Sequence, residues 1–224
     1  MRIDILSLFP EYFQGPFDVS MIRKAREAGR IEIYQVDIRS FADPEDRHQR
    51  VDDRPAGGGP GMILRPGPVA RAIRSVRRSD SHVVYLSPQG TPLKAAKCKE
   101  LAQYDHLVLL CGHYEGVDER VLRKEVDEEI SIGDYVLTNG CVATIVLVDA
   151  VVRFIPGVIG NPEAVEEDSF QNGIFEGPLY TREAFEGEEP PEILRSGDHA
   201  KIKKWKLDQA MRKTRLVRPE LIVE

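Results

Sequence analysis

Three short apolar runs, each emptying into a polar turn marked by glycine, restrict what this chain can fold into more than any other feature. His82–Ser87 leads into Leu86-Ser87-Pro88-Gln89-Gly90, Leu107–Cys111 into Gly112-His113-Tyr114-Glu115-Gly116, and Glu129–Ile132 into Gly133-Asp134-Tyr135. Between the second and third runs, Val117, Val121, Leu122 and Val126 recur at helical spacing. Strand alternating with helix predicts an α/β domain with a largely parallel sheet. Ligands of such sheets bind where loops leave the carboxyl ends of neighbouring strands. Glycine turns at equivalent strand ends therefore predict one shared pocket.

The flanking sequence extends this pattern. Arg2–Leu8 reads as a first strand stopped by Pro10, and Ile31–Ile38 as a second. Between them, Ser20 is expected to cap a helix with Met21, Ile22, Ala25 and Ala28 on one face and Gly29 at its end. Arg39–Met62 carries few apolar residues and no period, the mark of a functional or disordered segment. Val69, Ile73 and Val76 predict a helix with Pro68 near its start, and Thr91-Pro92 is expected to open another through Ala96, Leu101 and Tyr104. Cys141–Phe154 is rich in β-branched residues, but its fourteen residues exceed the usual strand. It is read as a buried helix ending before Pro156-Gly157, with Arg153 at its C-terminal end. Asp198–Arg218 lacks Gly and Pro and predicts a helix capped by Asp198, although Ile202, Trp205 and Leu207 form no clean stripe.

A chain of 224 residues fits one good-sized domain, or one domain with a small appendage. Three cysteines without paired spacing argue for a reducing cytoplasm and against a disulfide or zinc framework. No basic-then-apolar leader opens the sequence, and the most apolar run, Cys141–Val148, is cut by Asp149 well short of a membrane span. Charge is unevenly distributed: residues 161–192 hold ten acids and one base, whereas residues 193–224 hold nine Lys or Arg and four acids. Either this is a solvated linker followed by a solvated helix, or a hinge followed by a basic module for a polyanion.

The cluster Gly57-Gly58-Gly59-Pro60-Gly61 is not a nucleotide-binding signature. No Lys-Ser/Thr follows it, and its spacing is not G-x-G-x-x-G. It is either a flexible surface loop or a backbone that approaches a substrate closely. In the second case Arg47, His48, Arg50, Asp52, Asp53 and Arg54 would contact phosphates or base edges.

Five motifs taken in order are more specific. They are Asp52–Met62 (DDRPAGGGPGM), Leu86–Gly90 (LSPQG), Gly112–Asp118 (GHYEGVD), Ser131–Leu137 (SIGDYVL) and Ser196–Ile202 (SGDHAKI). Together they resemble the bacterial tRNA (guanine-N1-)-methyltransferases of the SPOUT superfamily, over essentially the whole chain. The resemblance implies a trefoil-knotted α/β domain over residues 1–160, a flexible acidic linker over 161–175 and a small helical, basic tRNA-binding domain over 176–224. It implies a cytoplasmic enzyme that moves a methyl group from S-adenosylmethionine (SAM) to N1 of the guanine 3′ of the tRNA anticodon. It also implies a homodimer with the active site at the subunit interface and no membrane partner.

Residue roles follow by the same resemblance. Tyr85, Leu86, Ser87, Pro88 and Gln89, then Gly112, Tyr114, Glu115 and Gly116, then Ser131, Ile132, Gly133, Asp134, Tyr135, Val136, Leu137, Asn139 and Gly140 match the cofactor loops, with Glu176 near the cofactor's amino end. Asp168 and Arg153 match the catalytic pair. Gly57, Gly58, Gly59, Arg54, His199 and Lys201 are expected on the tRNA side. The family is reported to need Mg²⁺, for which Glu115 and Glu176 are candidate carboxylates, though no ligand cluster marks a metal site in the sequence. The chain departs from the family at Thr138-Asn139-Gly140-Cys141-Val142-Ala143, which replaces Thr-Gly-Gly-Glu-Leu-Pro, with Asn139 expected to keep the turn by tolerating a positive φ. Glu176 replaces Asp, and Ala56 replaces an aromatic residue. The altered turn leaves open a binder of RNA without turnover; a nucleotide-binding regulator lacks any phosphate-loop motif.

Overall fold

The computed structural model describes residues 1–222, the side chains of residues 162–164 aside. The chain divides into two compact units, Met1–Gly160 and Asn161–Glu224.

Unit 1 is built on a five-stranded sheet. Its elements run β1 (Arg2–Ser7), α1 (Ser20–Glu27), β2 (Glu32–Asp37), β3 (Asp52–Asp53), β4 (Ile63–Leu64), α2 (Pro66–Val76), β5 (Ser81–Pro92), α3 (Ala95–Leu101), β6 (His106–Cys111), α4 (Glu119–Glu125), β7 (Glu128–Ser131) and α5 (Cys141–Val152). The strand order is β2-β1-β6-β5-β7, and every pairing is parallel. The largely parallel sheet expected from the alternation is what the chain forms. All six residues of β6 are buried, as a parallel strand covered on both faces requires. Leu107, Leu109 and Cys111 pack with Ile3, Ile5, Val84 and α5 on one face. Val108 and Leu110 pack with Leu6, Val83, Tyr85 and α2 on the other. A truncation such as Leu109→Ala would cost about 2–5 kcal/mol at so enclosed a site.

Several boundaries differ from expectation for identifiable reasons. Ser20 does not cap α1 through its side chain; it takes φ 54° at the start of the helix, and Val19 is the extended residue before it. The turn at Leu86–Gly90 does not end its strand: β5 runs on to Pro92, because Thr91 and Pro92 pair again with β7 after a register shift. Thr91-Pro92 accordingly belongs to the strand, and α3 opens only at Ala95. The unpatterned Arg39–Met62 segment begins in a short 3-10 turn, Ile38–Phe41, and closes as an antiparallel pair, β3 with β4. Asp46 staples its middle by bonding Arg50 and the His48 amide, which hold its carboxyl down at about 2. Cys141–Val152 is helical as expected. Seven of its residues are buried and only Val142 and Val146 of its valines are exposed.

Unit 2 contains α6 (Pro162–Glu167), α7 (Glu192–Arg195) and the long α8 (His199–Val217). Asp198 caps α8 by accepting from the Lys201 amide, as its position before a run without Gly or Pro predicts. Thr214 anchors the chain against this helix, its hydroxyl accepting from the Phe175 amide at 2.9 Å. Residues 223 and 224 of the expected C-terminal segment lie outside the described residues. Among the described residues, no helix is long and apolar enough to cross a membrane.

Candidate functional site

The carboxyl ends of β6 and β7, with the stretch of β5 before its register shift, open into one pocket in unit 1. Its wall takes Tyr85, Leu86, Ser87 and Pro88 from β5, Gly112–Gly116 from the loop after β6, and Ile130–Gly133 with Tyr135–Gly140 from the loop after β7. The turns after β6 and β7 thus converge as their strand-end positions predict, whereas Leu86–Pro88 joins them from within β5, where the strand shifts register, and Gly90 does not line the pocket. Gln89 and Asp134 do not line the pocket, since the continued β5 ladder and the turn at Gly133 carry them off it. His113, inside the expected Gly112–Gly116 turn, lines it, and so do Ile130, Thr138 and Ala143, which no expectation placed there.

Two contacts fix the loops at close range. The Gly140 amide donates to the Gly112 carbonyl at 2.7 Å. A Cβ on Gly140 would lie 2.7 Å from the Gly112 nitrogen and 3.0 Å from Cys111 Cα, so only glycine lets these backbones pass. Asn139 does not hold a positive φ, contrary to expectation. Its side-chain oxygen instead accepts from the Cys141 amide at 2.8 Å, which starts α5. At Gly133, φ is +153° and a Cβ would collide with the Tyr135 ring, whose hydroxyl donates to the Ile132 carbonyl.

The glycine-rich loop is tied to the same pocket. The Glu115 amide donates to the Met62 carbonyl, the Leu64 amide to Gly116 and the Asp118 amide to Leu64. Gly61 packs on the Glu115 side chain, where a Cβ would come within 2.4 Å. Gly57, Gly58 and Gly59 all have left-handed φ, yet a Cβ on any of them would meet nothing. Their glycines are therefore required by backbone conformation; the Gly58 amide donates to the Pro55 carbonyl, and Arg54 beside the loop is exposed.

A buried polar cluster supports the pocket from behind. His113 Nε2 accepts the Leu8 amide and lies 3.2 Å from Ser7 Oγ, which is itself 3.2 Å from Cys141 Sγ. Cys111 Sγ lies 3.1 Å from Thr144 Oγ1. Interaction with Cys111, and then with His113 and Ser7, draws Cys141 down to about 5, while burial pushes the Cys111 thiol well up. Burial also pushes Tyr85 up to about 12, so the phenol stays protonated with its oxygen against Gly112 and Gly116.

The pocket's chemistry is selective. Among the described residues that line it, Glu115 is the one Asp, Glu, Lys or Arg. The rest of the lining is backbone, hydroxyls and the apolar surfaces of Tyr85, Val136 and Leu137, with one carboxylate beside them.

In unit 2, a second pocket brings together Asp168, Glu176 and His199 with Lys203 and Lys206 of α8. The Glu176 amide donates to Ser169 Oγ at 2.9 Å. Lys201 is paired with Asp198 at the start of α8 and does not line this pocket. Arg153 is exposed at the C-terminal end of α5. Among the described residues no three His, Cys, Asp or Glu side chains are placed to hold a metal ion.

Comparison with known proteins gives a consistent result. The family described as tRNA (Guanine-1)-methyltransferase TrmD matches residues 1–224. A tRNA (guanine-N(1)-)-methyltransferase of Protochlamydia amoebophila (strain UWE25) is 58% identical over 223 residues, covering 99% of this chain and 100% of that protein. Proteins of the same name from Chlamydia trachomatis serovar D and Chlamydia pneumoniae are each 55% identical, over 225 and 222 residues. The chain spans 63% and 61% of those two relatives' own lengths.

Proposed function

The chain belongs to the tRNA (guanine-1)-methyltransferase family, and from that premise we propose that it methylates N1 of a tRNA guanine, the one 3′ of the anticodon, with SAM as the methyl donor. The observation that carries the donor assignment is the single pocket made by the three glycine turns, nearly uncharged and free of phosphate-binding cations. SAM supplies a methyl group already activated on sulfonium, so no covalent enzyme intermediate is needed. Backbone groups of Leu86–Pro88 and Ile132–Leu137 would read the adenine edge, Tyr85 and Leu137 would cover its faces, and Glu115 would sit near the cationic end.

Guanine N1 carries a proton and is a poor nucleophile until that proton leaves. Asp168 is assigned as the base that removes it, and Arg153 as the cation that stabilises the charge developing on O6. What remains is alignment of nucleophile and methyl carbon, which positioning alone accelerates strongly. Glu115 and Glu176 belong to different units and form no described metal cluster, so no step is assigned to Mg²⁺.

We read residues 1–160 as a trefoil-knotted domain, 161–175 as a flexible linker and 176–224 as the tRNA-binding module. The family membership supports the knotted reading of the first domain. The protein acts as a homodimer in the cytoplasm, each active site completed by both subunits. Exposed Val142 and Val146 on α5, with Val136, 82% exposed, on the pocket rim, offer apolar surface for a second copy to cover. SAM titration calorimetry, followed by methyl transfer to a tRNA transcript with guanine or adenine beside the anticodon, tests the reading. Transfer to guanine only is expected. SAM binding without transfer would favour the non-catalytic binder.

A further inference from the structure

We propose that Cys111 and Cys141 form a reversible disulfide, a modification site whose closure disables the pocket beside it. Cys111 ends β6 immediately before Gly112, and Cys141 opens α5 immediately after Gly140. The two glycines are hydrogen-bonded at 2.7 Å, and a Cβ on Gly140 would lie only 3.0 Å from Cys111 Cα. The backbones that carry the two thiols therefore run against each other. Both thiols are free and fully buried in one polar cluster, with Thr144 on Cys111 and Ser7 and His113 on Cys141.

Their chemistry is complementary. Cys111, His113 and Ser7 favour the thiolate form of Cys141, whereas burial favours the protonated form of Cys111. A nucleophilic thiolate beside a protonated thiol is the arrangement that thiol–disulfide chemistry uses. His113 touches this cluster and also lines the pocket, so the thiols lie one side chain behind its wall. With hydrogen peroxide as the oxidant class, the Cys141 thiolate attacks one peroxide oxygen, the O–O bond breaks, and a proton completes the departing water, leaving Cys141 sulfenic acid. Cys111 sulfur then attacks that sulfur, expelling a second water with its own proton. Two thiols are oxidised, one peroxide is reduced to two waters, and the chain loses two hydrogens. Cys98 lies on α3 outside this cluster and has no such partner thiol.

A disulfide holds its sulfurs at about 2 Å, far inside a thiol contact. Closing it draws the end of β6 toward the start of α5, where Gly140 already has no spare room against Gly112. Both glycines line the pocket, so its walls must move. The effect on SAM rests on the functional reading above; the cross-link does not.

The test treats the folded full-length protein with hydrogen peroxide, checks its fold by circular dichroism and measures intact mass, linked peptides and SAM affinity. The expected result is a loss of about 2 Da, a Cys111–Cys141 linked peptide with Cys98 still alkylatable after unfolding, and SAM affinity at least tenfold weaker, restored by dithiothreitol. The Cys111→Ser variant should form no link, its Cys141 stopping at a sulfenic acid that dimedone traps. Retention of three free thiols, a link through Cys98, or undiminished SAM affinity in fully linked protein would overturn the proposal. Should the reduced protein bind no SAM, the functional reading fails, and the mass and peptide results alone still decide whether the link forms.

Discussion

Gly140 donates its amide to the Gly112 carbonyl at 2.7 Å and leaves no space for a side chain on that side. Its own φ of −77° is one that alanine adopts readily, so the constraint at this position is contact and not conformation. Gly140→Ala must then push apart the loops after β6 and β7. Overpacking of this kind costs about 1–3 kcal/mol. Felt at the pocket, that weakens SAM by roughly 5- to 150-fold. Calorimetry should show the loss with the thermal transition still present; wild-type affinity would remove this contact from the binding site.

Asp168→Asn should leave the fold and SAM affinity intact while lowering methyl transfer by about 10²-fold or more, the usual scale for loss of a general base. Asp168 shares its pocket with Glu176, His199, Lys203 and Lys206, a polar surrounding that tolerates the amide. Single-turnover rates with saturating tRNA and SAM separate the two effects. Turnover within a few-fold of wild type would leave the proton to another group.

The Cys141 thiol sits far below its ordinary range, at about 5, chiefly through Cys111 and then His113 and Ser7. A depressed folded-state value means that the folded protein holds the thiolate more firmly than the unfolded chain does. That contribution is complete above the ordinary thiol range near pH 8.5 and is lost as pH falls toward 5. Cys111, pushed up by burial, works in the opposite sense at high pH. Thiolate absorbance near 240 nm should therefore titrate with a midpoint close to 5, and the step should vanish in Cys141→Ser. A wild-type midpoint near 8.5 would show that no such thiolate exists.

Lys203 and Lys206 on α8 carry positive charge onto the Asp168 pocket. Phosphate contacts release counterions, so each one lost lowers the slope of log affinity against log salt by about one. Lys203→Glu with Lys206→Glu should weaken tRNA binding and flatten that slope, with SAM affinity unchanged. An unaltered slope would move the polyanion surface elsewhere.

What could be read in advance follows from how local each constraint is. The parallel sheet was legible because apolar runs and helical spacings alternate, and α5 because Cys141–Val152 is too long for a strand. The pocket was legible because the turns at Gly112 and Gly133 directly follow apolar runs, although the Leu86–Gly90 turn lies within its strand. The continuation of β5 to Pro92 was not, because it depends on Thr91 and Pro92 pairing a second time with β7, a long-range event without periodicity. Residue type at Asn139 points to a tolerated positive φ, whereas its work is done by a side-chain oxygen on the Cys141 amide. His113 stood inside a recognised motif, yet its burial against Ser7 and Leu8 needs β1 beside β6 to appear. Asp168 looks like one acid among the ten between residues 161 and 192, and only the family resemblance distinguishes it.

The dimer proposal makes a quantitative demand. Gly133 has a φ of +153° with the Tyr135 ring against its open side, so Gly133→Trp should destroy the cofactor pocket of its own subunit. Asp168→Asn removes the proposed base and leaves that pocket whole. If each active site takes its cofactor loops from one subunit and Asp168 from the other, neither homodimer variant is active. A heterodimer of the two holds one site with both defects and one with neither. Random pairing gives half heterodimers, each with one good site of two, so refolded mixtures should recover up to about a quarter of wild-type activity. Confirmed heterodimers without recovered activity would place both residues in one subunit's site, and a monomer by sedimentation would end the composite-site reading.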